Sequence, residues 1–524
     1  MDENAPIDQQ MPHVLLPEEA ELSWHWEKQA FPEPLTPLVQ SYLPYHTQGW
    51  ARAARAQGAP GAVRIRFVNG YYYSVWQPVG LTTWEAAEAA WREAERLTPE
   101  HWDQEWLPEI KAELERLRSI DLRALADDDL SFVLHEALTR QIRLWEIHAH
   151  MGSAPLRAVQ RLVDWYLERY PGAPESEPYR LLQGLRNSSV ESGHRLWKLG
   201  RMVTPAVAEV LRLGDWERLP EPFRRVFEAY LDEFGRRTQA VADPGSLTWR
   251  EDPCPVAGLV LEYAESDASD PCRQVERLAV EREAFTAGVR SRLAQDECAT
   301  FERLLACALA NYPLMEDHAY WLDQQCVAAV RDMCAEFGRR LVAAGALDHT
   351  EDISYLTLEE LTLWGLGLAA PLRPQVAKRK IEHQANRQVT PADLIGVPPE
   401  PETWVDRYGG PASPQDAGVG EIRGVGASAG VARGPARIAH ALCEAQMMHP
   451  GEVLVAVSPD PNWTPLFGLA AALVTDLGGS LCHAAVVARE YGLPAVVGTH
   501  VATERVRDGQ MIEVDGVSGL VRLL

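Results

Sequence analysis

Residues 472–498 read ALVTDLGGSLCHAAVVAREYGLPAVVG and carry the clearest structural signals in the chain. A short run of apolar and β-branched residues leads into two adjacent glycines, as expected of a buried strand that ends in a tight turn. A helix is predicted to begin near His483 and to end at Gly492, because glycine is favoured just past a helix end and Pro494 prevents its continuation. His483 is therefore expected in the first turn of that helix.

The predicted position of His483 indicates a chemical role. Free N–H groups and the positive end of the helix dipole would stabilise an anionic group on the imidazole. Gly478, Gly479 and Ser480 precede the helix and are predicted to let the backbone approach and bind a phosphate. A neutral imidazole is also a competent nucleophile. The residues alone equally allow a half-buried or capping histidine beside a tight turn.

This stretch resembles the phosphohistidine domain shared by phosphoenolpyruvate synthase, pyruvate phosphate dikinase and rifampin phosphotransferase, and the phosphorylated histidine of that family falls on His483. The resemblance covers residues 421–524. It includes three further motifs: RGVGASAG at 423–430, VLVAV at 453–457 and PNWTPL at 461–466. It implies a C-terminal swivelling β/α domain, the mobile domain of PEP-utilising enzymes, that carries a phosphoryl group on His483.

The composition and the periodicity of the sequence predict three regions. Residues 1–395 show apolar positions three or four apart and predict a large, mainly α-helical substrate-binding domain. Within it, VRIRFVNGYYYSVW at 63–76 predicts a β-hairpin that turns at Asn69 and Gly70, and Thr98 with Pro99 predicts the start of a new helix. Residues 396–420 are rich in Pro, Gly, Asp and Ser and predict a flexible linker. Residues 421–524 form the swivelling phosphohistidine domain of this multidomain chain.

The helical region resembles, more weakly, the antibiotic-binding domain of rifampin phosphotransferase, which implies a small-molecule substrate. The similarity rests on short segments at residues 31–38, 68–70, 182–184, 249–253 and 352–356. Where the family has an Arg-Glu-x-x-Lys pattern, this chain has Met315, Glu316 and Ala319, so that only the glutamate is present. This departure argues against phosphate binding by the helix that contains Glu316.

Four residues are candidates for the acceptor site. Glu316 or His318 is predicted to take the proton of an acceptor hydroxyl as general base, although both are equally compatible with a solvated helix face. His148 and Tyr72 are predicted substrate contacts, although aromatic residues at such spacing more often form core. Because His148 and His150 point to opposite sides of a helix, no shared metal is expected there, and no metal site is predicted.

Composition excludes several kinds of partner. The net charge of −25, without a basic stripe, argues against nucleic acid. No apolar run approaches the roughly 20 residues that span a bilayer, and no signal peptide is evident, so we expect a cytoplasmic protein without membrane contact. The eight cysteines are dispersed, as is typical of reduced thiols.

The sequence contains no Gly-x-x-x-x-Gly-Lys-Ser/Thr loop and no ATP-grasp domain, which enzymes of the resembled family use to charge the histidine. We therefore expect no cofactor on this chain, with ATP and Mg²⁺ bound by an ATP-grasp subunit in trans, an arrangement that resembles phenylphosphate synthase. The predicted function is a phosphotransferase component that transfers a phosphoryl group from His483 to a hydroxyl of a small, apolar substrate. The alternatives are a non-catalytic small-molecule binding protein with a degenerate phosphohistidine domain, and a dehydratase that phosphorylates a hydroxyl before elimination.

Overall fold

The computed structural model describes residues 19–57, 61–78, 84–238, 240, 242–267, 269–368, 371–398, 418, 420–445 and 447–524. It confirms the predicted fold class, a mainly α-helical N-terminal part and a C-terminal β/α domain. Most of the predicted linker, residues 399–417 and 419, lies outside the described residues. The strand Leu394–Gly396 precedes these residues and the strand Glu421–Arg423 follows them.

The N-terminal part is built mainly from α-helices, and two of those in the described residues continue directly into π-helical stretches. The α-helices are Pro37–Ala56, Trp84–His101, Leu107–Arg118, Asp127–Arg169, Ser188–Arg201, Pro205–Leu213, Glu221–Phe234, Cys254–Glu265, Pro271–Arg290, Gln295–Asn311, Leu314–His318, Val327–Ala343, Leu358–Gly365 and Leu372–Asn386. The π-helical stretches are Trp102–Trp106 and Ala319–Cys326, and the 3₁₀ turns are Glu177–Leu181, Trp216–Arg218 and Thr350–Tyr355.

A small antiparallel sheet closes this part of the chain. Its strands are β1 (Ser23–Trp26), β2 (Gly61–Val68), β3 (Tyr71–Pro78) and β4 (Leu394–Gly396), in the order β2-β3-β1-β4. The predicted hairpin is confirmed: Asn69 and Gly70 both have positive φ, at 50° and 78°, as a two-residue hairpin turn requires. The pairing of β1 with β4 joins the start of the described chain to the last element before the linker.

The prediction that a helix starts at Thr98 and Pro99 is wrong, because the helix Trp84–His101 runs through both residues. Proline has no N–H and leaves the carbonyl four residues earlier without its usual partner. That carbonyl belongs to Glu95, and the side-chain amide of Asn311 donates to it at 3.0 Å. A tertiary contact therefore stabilises the proline inside the helix.

The C-terminal domain is an eight-stranded sheet. Its strands, β5 to β12 in chain order, are Glu421–Arg423, Val425–Ser428, Val431–Ala439, Val453–Ala456, Ala472–Thr475, Ala495–Val497, Met511–Asp515 and Leu520–Leu523. The order is β5-β12-β11-β7-β8-β9-β10-β6, with β7 to β10 parallel. Three helices, Leu442–Ala445, His483–Tyr491 and Ala502–Arg505, and the 3₁₀ segment Pro461–Gly468 complete the domain.

The helix His483–Tyr491, which we call the histidine helix, connects the parallel strands β9 and β10. It ends at Gly492 in the left-handed conformation (φ 61°), as predicted. His483 is its first residue and follows the carboxyl end of β9. Ligands of open sheets with parallel strands bind at this edge.

The histidine helix packs against the N-terminal part. Buried apolar side chains from both parts, including Tyr263 and Leu466, belong to one hydrophobic cluster. The hydroxyl of Tyr263 donates to the Pro465 carbonyl at 2.9 Å, and the Arg489 guanidinium lies 3.6 Å from the centre of the Tyr179 ring. The two parts are therefore docked with His483 facing the helical domain. Within the described residues, every helix is too short or too polar to cross a membrane.

Candidate functional site

His483 uses both imidazole nitrogens at the interface between the two parts. Its Nδ1 lies 2.9 Å from Glu316 Oε1 in the helical domain, and its Nε2 lies 3.0 Å from Thr464 Oγ1 in its own domain. The Thr464 hydroxyl also lies within donating distance, 2.9 Å, of the Pro461 carbonyl. The side chain of His483 is 17% exposed and that of Glu316 is 2% exposed, so the contact is largely shielded from water.

Glu316 is positioned by a helix that changes form at the site. The α-helix Leu314–His318 continues through the π-helical stretch Ala319–Cys326 into Val327–Ala343. π-helical turns often mark functional sites. Glu316 Oε2 accepts from the Ser189 hydroxyl at 2.9 Å, so both carboxylate oxygens are engaged. The alternative of a solvated helix face therefore does not hold for Glu316, and the carboxylate is held against the imidazole.

The charge environment of His483 favours the protonated imidazole. Burial lowers its pKa, but the carboxylates of Glu316, Asp460 and Asp323 oppose this and raise the pKa above its usual value. The pKa of Asp460 is itself raised, to about 6, mainly by burial. An imidazolium paired with Glu316 therefore stabilises the docked arrangement at low pH. This contribution is lost as the pH rises through the raised pKa of His483.

A small cavity adjoins this contact. Its walls include Glu316, Thr464, Ser188, Gln324 and Arg237. Its volume of about 10 Å³ is close to the space of a single water molecule. The buried Oε1 of Gln324 has no hydrogen-bond partner within the described part of the chain. Unsatisfied polar atoms of this kind are rare in proteins and suit a polar group that enters the cavity in another state.

Arg237 brings a positive charge to this cavity. The residue is 3% exposed, its Nε donates to the Phe234 carbonyl at 2.9 Å, and its guanidinium lies 4.6 Å from the centre of the Trp249 ring. No carboxylate of the described residues lies within ion-pair distance of it, and burial lowers its pKa against the weaker opposing effect of the Asp460 carboxylate. A buried charge without a counterion is strongly unfavourable. Arg237 is therefore well suited to bind an anion in the cavity.

Residues 478–480, in the loop before the histidine helix, contact Cys482 and Arg489 of the same domain. Gly478 has φ 111°, and a Cβ there would lie 2.8 Å from Cys482 Sγ, which explains the need for glycine. The carbonyl of Gly479 accepts from the Cys482 amide at 3.0 Å, and the carbonyl of Ser480 accepts from Arg489 at 2.5 Å. Phosphate binding by Gly478, Gly479 and Ser480 stays a prediction.

His318 is buried but does not face His483. Its Nδ1 lies 2.6 Å from the Leu314 carbonyl, and its ring meets that of His148 edge-on with 5.0 Å between centroids. His148 Nε2 lies 2.8 Å from Asp323 Oδ1. The alternative of a solvated helix face does not hold for His318 either, because this residue is buried. Glu316 alone of the two candidate bases contacts His483.

The other predicted substrate contact lies in the core of the helical domain. Tyr72 is 5% exposed and packs against Phe31 and Phe67. The structure does not bring it together with His483. His150 faces away from His148, as predicted, and its Nδ1 lies 2.6 Å from the Gln57 side-chain amide.

Sequence reasoning missed several residues of this site. Thr464 lies in the segment 461–466, which resembles the family. That resemblance predicted the structure of the segment but did not predict the hydrogen bond between Thr464 and His483. Arg237 follows the end of a helix in a loop without periodicity, and Ser188 and Ser189 begin a helix after Asn187. These residues meet His483 only through tertiary packing.

Comparison with known proteins identifies two regions of the chain. Residues 448–519, which include His483, match the family described as PEP-utilising enzyme, mobile domain. Residues 148–312 match the rifampicin phosphotransferase fourth domain. The resemblance predicted from the sequence is therefore confirmed for both parts of the chain.

Three curated relatives illustrate the similarity. Chondramide synthase cmdD of Chondromyces crocatus is 34% identical over 97% of this chain and 14% of its own length. The uncharacterized phosphotransferase YvkC of Bacillus subtilis is 27% identical over 72% of this chain and 47% of its own. A rifampicin phosphotransferase of Streptomyces sviceus is 30% identical over 57% of this chain and 34% of its own. The chain thus spans less than half the length of each of these relatives.

Proposed function

Because residues 448–519 match the mobile domain of PEP-utilising enzymes, we propose that this chain is a phosphotransferase component that carries a phosphoryl group on His483. A separate ATP-grasp subunit, with bound ATP and Mg²⁺, charges the histidine. The helical domain binds a small hydroxylated acceptor. The observation that carries this proposal is the contact of His483 with Glu316 beside a cavity that contains an unpaired buried arginine.

The hydrogen bonds support Nε2 as the carrier atom of this proposal. A carboxylate that accepts from one ring nitrogen fixes the proton there and leaves the other nitrogen with a free lone pair. Glu316 would hold the proton on Nδ1 in this way. Nε2 then attacks phosphorus, and the N–P bond forms as the bond from phosphorus to its leaving oxygen breaks. The Thr464 hydroxyl, 3.0 Å from Nε2, helps to orient the ring.

In the second step the phosphoryl group moves from Nε2 to the hydroxyl oxygen of the acceptor. The acceptor hydroxyl attacks phosphorus, the N–P bond breaks, and the electron pair returns to Nε2. Glu316 takes the hydroxyl proton on Oε2, which gives up its hydrogen bond from Ser189, while Arg237 binds the phosphoryl oxygens. Closure of the two domains excludes water, which would otherwise hydrolyse the phosphohistidine.

Phosphoramidate, a small donor that phosphorylates histidine without an enzyme, tests the carrier directly. We expect a mass increase of one phosphoryl group, stable to base and labile to acid, on the peptide that contains His483. The ³¹P NMR shift should be that of an Nε2-phosphohistidine. Absence of label on this peptide under conditions that label a known phosphocarrier would contradict the proposal.

The pH dependence of labelling tests the role of Glu316. Phosphorylation needs the neutral imidazole, so its rate should rise as the pH passes the raised pKa of His483. Among the groups that raise this pKa, Glu316 contributes most. Glu316→Gln should therefore move the midpoint of the rate profile to lower pH. Glu191→Gln, an exposed carboxylate paired with Arg195, serves as control. Equal midpoints in wild type and Glu316→Gln would exclude the proposed contact.

Docking of the histidine domain can be tested at Gly193. A Cβ at Gly193 would lie 2.1 Å from the hydroxyl of Tyr491, in the histidine helix. Gly193→Leu should destabilise the docked arrangement by about 1–3 kcal/mol, the usual effect of overpacking. We expect a larger radius of gyration by X-ray scattering and faster labelling of His483 by phosphoramidate. Gly288→Leu, at a helical glycine with open space around it, should change neither quantity. A compact Gly193→Leu variant with unchanged labelling would contradict this account.

A further inference from the structure

A second polar cluster lies on another face of the helix that carries Glu316. It consists of His148, His318 and Asp323, and one potential ligand atom of each lies within 4.8 Å of the others. His318 and Asp323 are five residues apart, a spacing that the π-helical stretch Ala319–Cys326 brings onto one face. His148 reaches them from the long helix Asp127–Arg169. Side chains from two separate helical elements therefore meet in one cluster.

The hydrogen bonds of the cluster prepare its nitrogen atoms for coordination. His318 is 9% exposed, and its Nδ1 donates to the Leu314 carbonyl, which leaves Nε2 as an acceptor without a hydrogen-bond partner in the described residues. A histidine that binds a metal almost always donates its other N–H to such a carbonyl or carboxylate. The second nitrogen of His148, Nδ1, is also buried and lacks a partner within the same part of the chain.

The protonation states of the cluster suit a cation. Burial, with a smaller contribution from the neighbouring His148, lowers the pKa of His318 to about 4 against the opposing effects of Asp323, the Leu314 carbonyl and Glu316. Burial raises the pKa of Asp323, but His148, His318 and His46 together outweigh burial, and the pKa of this carboxyl stays below its usual value. At neutral pH the cluster therefore offers a neutral imidazole and a carboxylate.

We propose that His148, His318 and Asp323 bind a divalent transition-metal ion of the zinc class. Two imidazole nitrogens and one carboxylate oxygen form a donor set that suits Zn²⁺, whereas Mg²⁺ and Ca²⁺ prefer oxygen ligands. Tetrahedral coordination at the usual bond lengths requires ligand atoms about 3.3 Å apart, so His148 and Asp323, now 2.8 Å apart, must separate slightly, and any atoms nearer the 4.8 Å limit must approach. The side chains of His148 and Asp323 are 13% and 18% exposed, which gives an ion access.

The surroundings support an ion with one open coordination position. Three protein ligands leave a fourth position for an oxygen donor, as in catalytic zinc sites. Aromatic rings of Trp145, Trp50 and His46 stand next to His148. These rings line one side of the open coordination position. This position lies on the helical domain, where the proposed acceptor would bind. Coordination of an acceptor hydroxyl here rests on the proposed function, but binding of the metal does not.

Metal binding can be measured on the full chain without any phosphoryl donor. We expect the chelator-treated protein to bind one equivalent of Zn²⁺ by calorimetry, and Co²⁺ to give the visible absorption of a site with low coordination number. His318→Ala and Asp323→Ala should each weaken Zn²⁺ binding by at least about 100-fold, because a lost ligand matters more than a lost partner of a ligand. His150→Ala is the matched control, since His150 lies on the same helix as His148 and faces away.

A second cluster in the chain provides the decisive comparison. His194, Asp270 and Cys272 also lie within 4.8 Å of one another. Binding that survives His318→Ala but is lost in His194→Ala would overturn the proposal, as would wild-type binding no tighter than that of His318→Ala. Phosphoramidate labelling of His483 is scored separately. A failure of the metal site is thus distinguishable from a failure of the proposed function.

Discussion

Replacement of His483 by glutamine is expected to abolish the acid-labile phosphoryl group and to lower transfer to any acceptor by at least about 1,000-fold, as loss of a nucleophile typically does. Glutamine retains a side chain that can donate to Glu316 but has no nitrogen lone pair that can form an N–P bond. Because the imidazole contacts polar atoms at the rim of a cavity, the change should leave the fold intact. Intact-mass analysis and a melting curve measure both expectations.

His449→Gln is the matched control for this experiment. His449 belongs to the same domain, and its side chain is 71% exposed, so it is more accessible to phosphoramidate than His483. We expect His449→Gln to be labelled like the wild type. Loss of the label in His449→Gln, with retention in His483→Gln, would show that His483 is not the carrier and contradict the proposed function.

The sequence could predict the elements that depend on local signals. The histidine helix was predicted because its start and end are encoded by nearby residues, the glycines before it and Gly492 with Pro494 after it. The hairpin at Asn69 and Gly70 was predicted for the same reason. The predicted helix start at Thr98 and Pro99 was wrong, because the helix continues through the proline. The contact that stabilises it there comes from Asn311, more than two hundred residues further along.

The candidate site was only partly predictable, because its residues meet through tertiary packing. Glu316 was recognised from the family pattern, but its neighbour His318 points to a different cluster, since residues two apart lie on different faces of a helix. The π-helical stretch that aligns His318 with Asp323 has no sequence signal of its own. Likewise, the missing positive charge at the arginine and lysine positions of the family pattern argued against phosphate binding by the helix that contains Glu316. Arg237, from a different element, brings that charge to the cavity.

Arg237→Met is expected to slow phosphoryl transfer from His483 by roughly 100- to 1,000-fold, the usual effect of removing one donor that stabilises charge in a transition state. Methionine occupies much of the same apolar space beside Trp249 but carries no charge. Since the guanidinium is buried without a carboxylate partner, its loss should not lower the melting temperature in phosphate-free buffer. Inorganic phosphate should raise the melting temperature of the wild type and not that of the variant.

Arg331→Met separates this anion-binding role from a structural one. Arg331 is also buried, at 5% exposure, but it forms an ion pair with Glu251 at 2.9 Å. Its replacement leaves the partly exposed carboxylate of Glu251 without its partner, and should lower the melting temperature while phosphate still stabilises the protein. If Arg237→Met is destabilised as strongly as Arg331→Met and still transfers phosphate at the wild-type rate, Arg237 supports the fold. If Arg237→Met instead keeps its stability, transfers phosphate slowly and does not respond to inorganic phosphate, Arg237 acts by binding an anion. In the proposed function this anion is the phosphoryl group carried by His483.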